Sequence, residues 1–368
     1  MPRESFAIGS VRVRAGSMKE VELPITRLVT GGDVSLPVRV VHGREDGPTV
    51  WVNAAIHGDE VMGVEVIRRV VAALSPRTLR GTLVAVPVVN VLGFMAGDRY
   101  LPDRRDLNRS FPGSARGSLA SRIAHLFMTE VVSKCDVGID LHTAADRRAN
   151  LPQIRADLDD PGTLRLAEAF GAPVMLHARL RDGSLRQAGR DAGARVLLYE
   201  AGEALRFEDE PIAVGVAGVL RVMGSLGMLP PDDVPDDPAG ERLDDPAGDP
   251  SQISEPPADT PRPVAARASG WVRARGTGIL HLEVRLGEYV EEGRRLGGLS
   301  DTFGRRVRLV HADRAGIVIG VTRAPIVNAG DALVHIAVPD APDPVEVPAP
   351  DPRDDVLSPL AASDDPVD

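Results

Sequence analysis

Three short patches of this chain hold residues that can do chemistry: His57-Gly58-Asp59-Glu60, Asp140-Leu141-His142-Thr143 and Glu200-Ala201-Gly202-Glu203. His57 and Glu60 stand three apart, so at the junction of a strand and a helix both side chains can face one point. An imidazole and a carboxylate form a borderline donor pair suited to Zn2+. His142, arriving from another strand, would complete a His2Glu set. That set leaves a fourth position for water, which is the catalytic rather than the structural pattern. Asp140 shares the alternation face of His142 and either orients that imidazole or caps a neighbouring turn. Glu200 ends an apolar run, Val196 to Leu198, where a bare carboxylate needs a reason. It is either a general base that moves a proton from water to a leaving amine, or the ion-pair partner of an arginine.

A fourth patch runs Asp106-Leu107-Asn108-Arg109-Ser110-Phe111-Pro112-Gly113, entered through Arg99 and Arg105. Arg109 with Asn108 can fork around a substrate carboxylate, since guanidinium matches carboxylate bidentately and an amide adds orientation. Arg99 can polarise a scissile carbonyl and stabilise its oxyanion. Taken without the other patches, a loop so rich in arginine would read as merely solvated.

The elements that must position these patches follow from periodicity. Residues 1 to about 50 alternate apolar and polar side chains with glycine turns, an antiparallel entry to a sheet. From Thr49 the texture becomes apolar strands separated by helices. Val50 to Ile56 leads into a helix from about Glu60, and Leu83 to Val89 follows. Ser118 caps a helix that delivers the chain into Val137 to Leu141; Pro161 to Phe170, Pro173 to Leu176, Arg195 to Tyr199 and a last helix ending near Gly227 complete the series. Strands alternating with helices predict a mixed, mostly parallel, doubly wound α/β sheet, whose strand ends can gather the three patches at one edge. Residues 264–338 are short β-like runs punctuated by glycine, as expected of a small β-barrel.

Composition bounds the alternatives. The chain has 368 residues, 43% of them hydrophobic, and a net charge of -10. That charge is concentrated in two proline-rich acidic segments, 230–263 and 339–368, each carrying a net -8, so the remainder is +6. These segments read as a disordered linker and a disordered tail flanking a domain over 1–229 and a second over 264–338. Lys19 and Lys134 are the only lysines, and aromatic residues are few, which argues against nucleic acid as a partner. The longest apolar stretch, Leu83 to Ala96, is too short to span a bilayer, and the start has no secretory pattern, so a cytoplasmic protein without a membrane partner is expected. Cys135 is the single cysteine, which excludes an internal disulfide and a thiolate metal cluster.

The four motifs together, in order and spacing over roughly residues 45 to 230, resemble the succinylglutamate desuccinylase and aspartoacylase family, a branch of the zinc carboxypeptidase superfamily. The resemblance implies one zinc per chain on His57, Glu60 and His142, carboxylate binding by Asn108 and Arg109, and Glu200 as general base. The oxyanion arginine it implies falls on Arg99, with Arg105 as the alternative. Arg186, in Gly183-Ser184-Leu185-Arg186, sits where relatives place a substrate-pocket segment. The C-terminal module resembles the small barrel of such proteins, itself similar to biotinyl and lipoyl carrier domains. Carrier function requires a lysine at a hairpin tip and none follows Lys134, so pocket shaping or homo-oligomerisation is left, and His281, His311 and His335, at no metal spacing, read as ordinary surface or packing histidines. The expected activity is removal of an acyl group from an N-acyl amino acid or a similar carboxylate-bearing amide. A zinc carboxypeptidase acting on short peptides and a non-catalytic binding protein retaining the metal site are the alternatives.

Overall fold

A computed structural model describes residues 3–235 and 263–340. The acidic linker and tail expected at 230–263 and 339–368 therefore lie, except for their ends, outside the described residues. The chain begins with a small hairpin, β1 (Phe6–Ile8) and β2 (Val11–Val13), and a long antiparallel pair, β3 (Ser17–Arg27) and β4 (Asp33–His42). The alternating series is β5 (Glu45–Ala54), α1 (Met62–Ala73), β6 (Arg80–Val86), α2 (Val91–Ala96), α3 (Leu119–Glu130), β7 (Val137–His142), β8 (Arg148–Ala156), α4 (Pro161–Phe170), β9 (Val174–His177), α5 (Leu185–Asp191), β10 (Arg195–Glu203) and α6 (Asp209–Ser225). The C-terminal strands are β11 (Val264–Arg273), β12 (Gly278–Leu282), β13 (Tyr289–Val290), β14 (Arg295–Ser300), β15 (Arg306–His311), β16 (Gly316–Thr322), β17 (Ile326–Val327) and β18 (Ala332–Pro339).

The centre of the sheet is parallel, in the order β6-β5-β7-β10. Its strands are apolar on both faces because helices cover both. Along β5, Val50, Val52 and Ala54 pack with α1, α4 and α6, while Trp51 packs the other way with α3 and α5. Helix starts follow the side chains that cap them: Ser118 accepts from the Ser121 amide, Asp160 from Thr163 and Ser184 from Gln187.

Outside this centre most pairings are antiparallel, so the sheet is mixed, as the alternating pattern predicted, but not mostly parallel. β3 and β4 extend one edge antiparallel, and β8 runs antiparallel to β10. The C-terminal strands enter the same sheet. β11 lies parallel to β9, and its partner β18 pairs with β16. β16 returns to pair with β8, closing a five-stranded ring of β8, β9, β11, β18 and β16. Leu151, Val174, Leu176, Ala266, Ile317, Ile319 and Ala337 form one apolar cluster between these strands. The remaining C-terminal strands make a four-stranded sheet, β15-β14-β12-β17. Satisfying the free edge of β9 with β11 is the physical gain of this arrangement.

Candidate metal centre and its surroundings

His57 follows β5 through Ala55, whose φ of 49° turns the chain out of the sheet. Gly58 lies so close to the α2 region that a Cβ there would stand 2.0 Å from the Gly93 carbonyl carbon, so no other residue fits this turn. The Glu60 amide donates to the His57 carbonyl at 3.1 Å, and this turn brings both side chains to one side before α1 begins. His142 ends the neighbouring strand β7, and one ligand atom from each of His57, Glu60 and His142 lies within 4.8 Å of the others. All three are at least 96% buried.

The hydrogen-bond partners fix how the rings are turned. His57 Nδ1 is 2.7 Å from Glu60 Oε1, and His142 Nδ1 is 2.6 Å from Glu60 Oε2. The opposite nitrogens face other carboxylates: His142 Nε2 meets Asp140 Oδ2 at 2.9 Å, and His57 Nε2 meets Asp106 Oδ1 at 3.1 Å. Carboxylates only accept, and each ring has one on either side, so without a cation both nitrogens donate; a cation entering between the rings would take the place of the Nδ1 protons, while Asp140 and Asp106 keep those on Nε2. Two imidazole Nδ1 atoms and a carboxylate converging in a buried space are a donor set suited to a cation, with each ring backed by a further carboxylate. The three residues therefore fit a divalent metal. A second group, Asp157, Asp159 and His177, also comes within ligand range. There the His177 Nδ1 already accepts from the Leu158 amide and Asp159 is paired with Arg267.

The electrostatics follow from the same contacts. Burial acts against ionisation of Glu60, yet His57 and His142 outweigh it and hold the carboxyl well below its ordinary range. Burial likewise opposes charge on His142, but Asp140 and Glu60 together keep its pKa well above the ordinary value. Asp106 is also held low: His57, Arg99 and Arg109 outweigh its burial.

A directional chain stands behind His142. The Trp51 indole can only donate, and it does so to Asn53 Oδ1 at 2.9 Å. Asn53 must then present its amide nitrogen to Asp140 Oδ1, at 2.6 Å, which leaves Oδ2 for His142. Asn53 and Asp140 are register partners on β5 and β7, as are Trp51 and Gly138. A side chain at Gly138 would place its Cβ 2.0 Å from the Trp51 ring, so the glycine makes room for the indole that starts the chain.

Glu200 lies on β10 directly beside His142 in the parallel register, and opposite Gln153 of β8. Its Oε2 accepts from the Asn150 amide at 2.8 Å, and Arg155 stands 3.9 Å from Oε1. Arg99 reaches the centre: its guanidinium is 3.1 Å from Glu60 and 3.3 Å from Asp106. Arg105 instead points to Asp103 and is exposed. Asn108 is buried and its Oδ1 accepts from the Leu185 amide at 2.9 Å, which ties the loop before α3 to the start of α5. Arg109 is exposed, with one guanidinium nitrogen donating to the Asn108 carbonyl. Arg186 is not among the contacts of the His57-Glu60-His142 trio. It is buried beside a cleft of about 260 Å3 lined also by Asp157, Asp160 and Arg195. One of its nitrogens donates to the Arg179 carbonyl at 2.7 Å and another has no partner; burial, then nearby Arg155, pushes its pKa down to about 10.

Reading the sequence assigned no task to Asp106, although it leads the Asp106-Leu-Asn-Arg motif, nor to Asn53, Asn150 or Arg155. Asn53 carried a usable signal, a lone amide inside the apolar run Val50 to Ile56. Asn150 carried none.

Comparison with known proteins converges on one group. The family model for the succinylglutamate desuccinylase/aspartoacylase catalytic domain matches residues 46–226. The chain is 30% identical over 329 residues to N-alpha-acetyl-L-2,4-diaminobutyric acid deacetylase of Halomonas elongata, spanning 86% of this chain and 90% of that one. It is 29% identical over 184 residues to succinylglutamate desuccinylase of Burkholderia cenocepacia, where it spans 52% of the relative's length. Among solved structures, a succinylglutamate desuccinylase/aspartoacylase from Rhodobacter sphaeroides superposes with a TM-score of 0.72 at 26% identity, covering 88% of this chain and 96% of that one. The product-bound ectoine utilization protein EutE (DoeB) from Ruegeria pomeroyi shares the fold with a TM-score of 0.73 at 23% identity, covering 92% of this chain and 98% of that one.

Proposed function

We propose that this chain, which belongs to the succinylglutamate desuccinylase/aspartoacylase family, is a zinc-dependent deacylase that hydrolyses the amide bond of an N-acyl amino acid or a similar small amide bearing a carboxylate. The observation that carries the reading is the trio of His57, Glu60 and His142, with both imidazoles backed by carboxylates and Glu200 in register beside His142.

One zinc per chain, held by His57, Glu60 and His142, would supply Lewis acidity toward the scissile carbonyl and toward an attacking water. Asp140 and Asp106 keep the protons of the two ligand imidazoles on Nε2, so that Nδ1 stays available. Glu200 takes the proton of the attacking water at its carboxylate and returns it to the departing amine nitrogen, which leaves as the neutral amine. Arg99, fixed by Glu60 and Asp106, lends positive charge to the carbonyl oxygen as it becomes an oxyanion. Asn108 and Arg109 hold the substrate carboxylate, and Arg186 takes part in the substrate pocket.

The reading gives the C-terminal β region no carrier function, since no lysine follows Lys134. Among the described residues no helix is long and apolar enough to cross a membrane. The reading keeps a cytoplasmic setting, a small-molecule partner and no nucleic acid. The test is a hydrolysis screen of the zinc-loaded protein over N-acetyl, N-succinyl and N-formyl amino acids and dipeptides. Glu200→Gln should keep stoichiometric zinc while losing hydrolysis by about 100-fold or more; hydrolysis at the wild-type rate would remove Glu200 from the base role.

A further inference from the structure

Glu200 is gripped from β8, and β8 is in turn gripped from the C-terminal strands. Asn150 donates from Nδ2 to Glu200 Oε2 at 2.8 Å, and the direction is unambiguous because a carboxylate cannot donate. Asn150 Oδ1 therefore points away from Glu200. The residue is 7% exposed, and its Cα partner across the ring is Gly320 of β16. A Cβ built at Gly320 would stand 3.0 Å from Asn150 Oδ1, 3.3 Å from His335 Cβ and 3.4 Å from the Trp271 ring. Behind it the His335 ring stacks on Trp271, with centroids 4.7 Å apart and planes within 12°. His335 is a packing histidine, one of the two readings the sequence left open, and what it packs is the wall against which the amide rests.

We propose that Asn150 is a positioning residue that holds the Glu200 carboxylate in its working rotamer, and that the C-terminal strands support the reaction by backing this amide through Gly320. The inference rests on the reading of Glu200 as general base. A glutamate has three rotatable bonds, and proton transfer needs its oxygen within hydrogen-bond reach of the proton it takes. Arg155, 3.9 Å from Oε1, lies beyond hydrogen-bond distance and supplies charge without direction. The Asn150 donor supplies the direction. Since Asn150 is not among the residues assigned to the substrate carboxylate, its loss should be felt in kcat and not in KM.

The decisive substitution is Asn150→Asp, which keeps the volume and shape but replaces the donor by an acceptor facing Glu200. The full-length zinc-loaded protein is compared with wild type on whichever N-acetyl, N-succinyl or N-formyl amino acid it hydrolyses. We expect kcat to fall by about 10- to 100-fold with KM within about threefold and zinc content unchanged. Gly320→Ala, which alters neither Asn150 nor Glu200, should lower kcat by about 3- to 10-fold with the same KM. A wild-type kcat in Asn150→Asp, or a loss confined to KM, overturns the proposal. If Asn150→Asp does not fold, a wild-type kcat in Gly320→Ala overturns it alone. Glu200→Gln separates the two readings. Should that variant hydrolyse at the wild-type rate, or wild type turn over no substrate of the panel, both fall. Should it be inactive while the Asn150 and Gly320 variants behave as wild type, only the positioning role falls.

Discussion

Asp140→Asn tests the hydrogen-bond chain behind His142 with the loss of a single acceptor. Asp140 has no exposed surface and accepts twice, from Asn53 Nδ2 at 2.6 Å and from His142 Nε2 at 2.9 Å. Asn53 cannot turn its amide to help, because its Oδ1 is committed to the Trp51 indole, which has only a hydrogen to offer. An asparagine at 140 presents one acceptor and one donor group, so one of the two incoming N–H groups must face an N–H. Water cannot relieve this at a fully buried position, and a buried donor without a partner costs about 1–3 kcal/mol. The protein can escape the penalty in one way, by giving up the His142 Nε2 proton and keeping the one on Nδ1, where Glu60 accepts it, so that Nε2 accepts from the new amide. That tautomer has no lone pair left at the ligand position. The penalty should therefore appear as weakened metal binding, about 10- to 100-fold in Kd, with little change in the stability of the protein without metal. Competition of wild type and variant against a chromophoric zinc chelator, with denaturant unfolding of both in excess chelator, reads the two quantities separately. A Kd within about twofold of wild type would refute the claim that Asp140 sets the His142 tautomer. A large loss of stability with unchanged Kd would make Asp140 a packing residue only.

Gly138→Ala should destabilise the fold by about 3 kcal/mol, because its Cβ would lie 2.0 Å from the buried Trp51 ring; urea unfolding measures this, and a change under about 0.5 kcal/mol would show that the ring has room to move. Metal affinity should fall as pH falls. His57 and His142 are both held above the ordinary histidine pKa, by Glu60 with Asp106 and by Asp140 with Glu60 respectively, against the effect of their burial. A proton on Nδ1 must leave before a metal enters, so the apparent Kd should rise by about tenfold per pH unit for each proton displaced; chelator competition between pH 8 and pH 6 reads the slope, and a flat profile would exclude these imidazoles as ligands.

Much of this site was legible because metal chemistry restricts residue types sharply. His57, Glu60 and His142 stood out by type and by their place after apolar runs, and alternation alone put Asp140 on the face of His142, where it is found hydrogen-bonded to Nε2. The parallel centre of the sheet could be read from the same runs. What stayed hidden depends on tertiary register. β8 has no clean alternation, with Pro152 in its middle, so nothing marked Arg148–Ala156 as a strand. Without β8, neither the Asn150 contact to Glu200 nor the ring shared with the C-terminal strands could be anticipated. Asp106 was hidden for a different reason: its partner His57 is 49 residues away, and the loop between them folds back through Gly58 and Gly93, a close backbone approach that only the packed structure reveals.

The register also explains why the reactive groups depend on a strand far along the chain. Glu200 sits where β10 changes from a parallel neighbour, β7, to an antiparallel one, β8, so His142 lies to one side of it and Gln153 to the other. Immediately after Glu200 the β8 ladder shifts register, and Gly202, at a φ of 67°, comes to oppose Asn150. A bulge at this point lets a residue beyond the regular partner reach back to the carboxylate, which a uniform ladder would not permit. Asn150 can do so only while β16 holds that end of β8 in place, through the pairing of Gly320 with Asn150 and Thr322 with Arg148. Because β16 is tied through β18 and β11 to β9, the placement of the carboxylate is distributed over the whole ring. A substitution that loosens β16 should therefore lower turnover before it lowers metal content, since the trio of His57, Glu60 and His142 rests on β5, β7 and the turn before α1 and takes nothing from that ring.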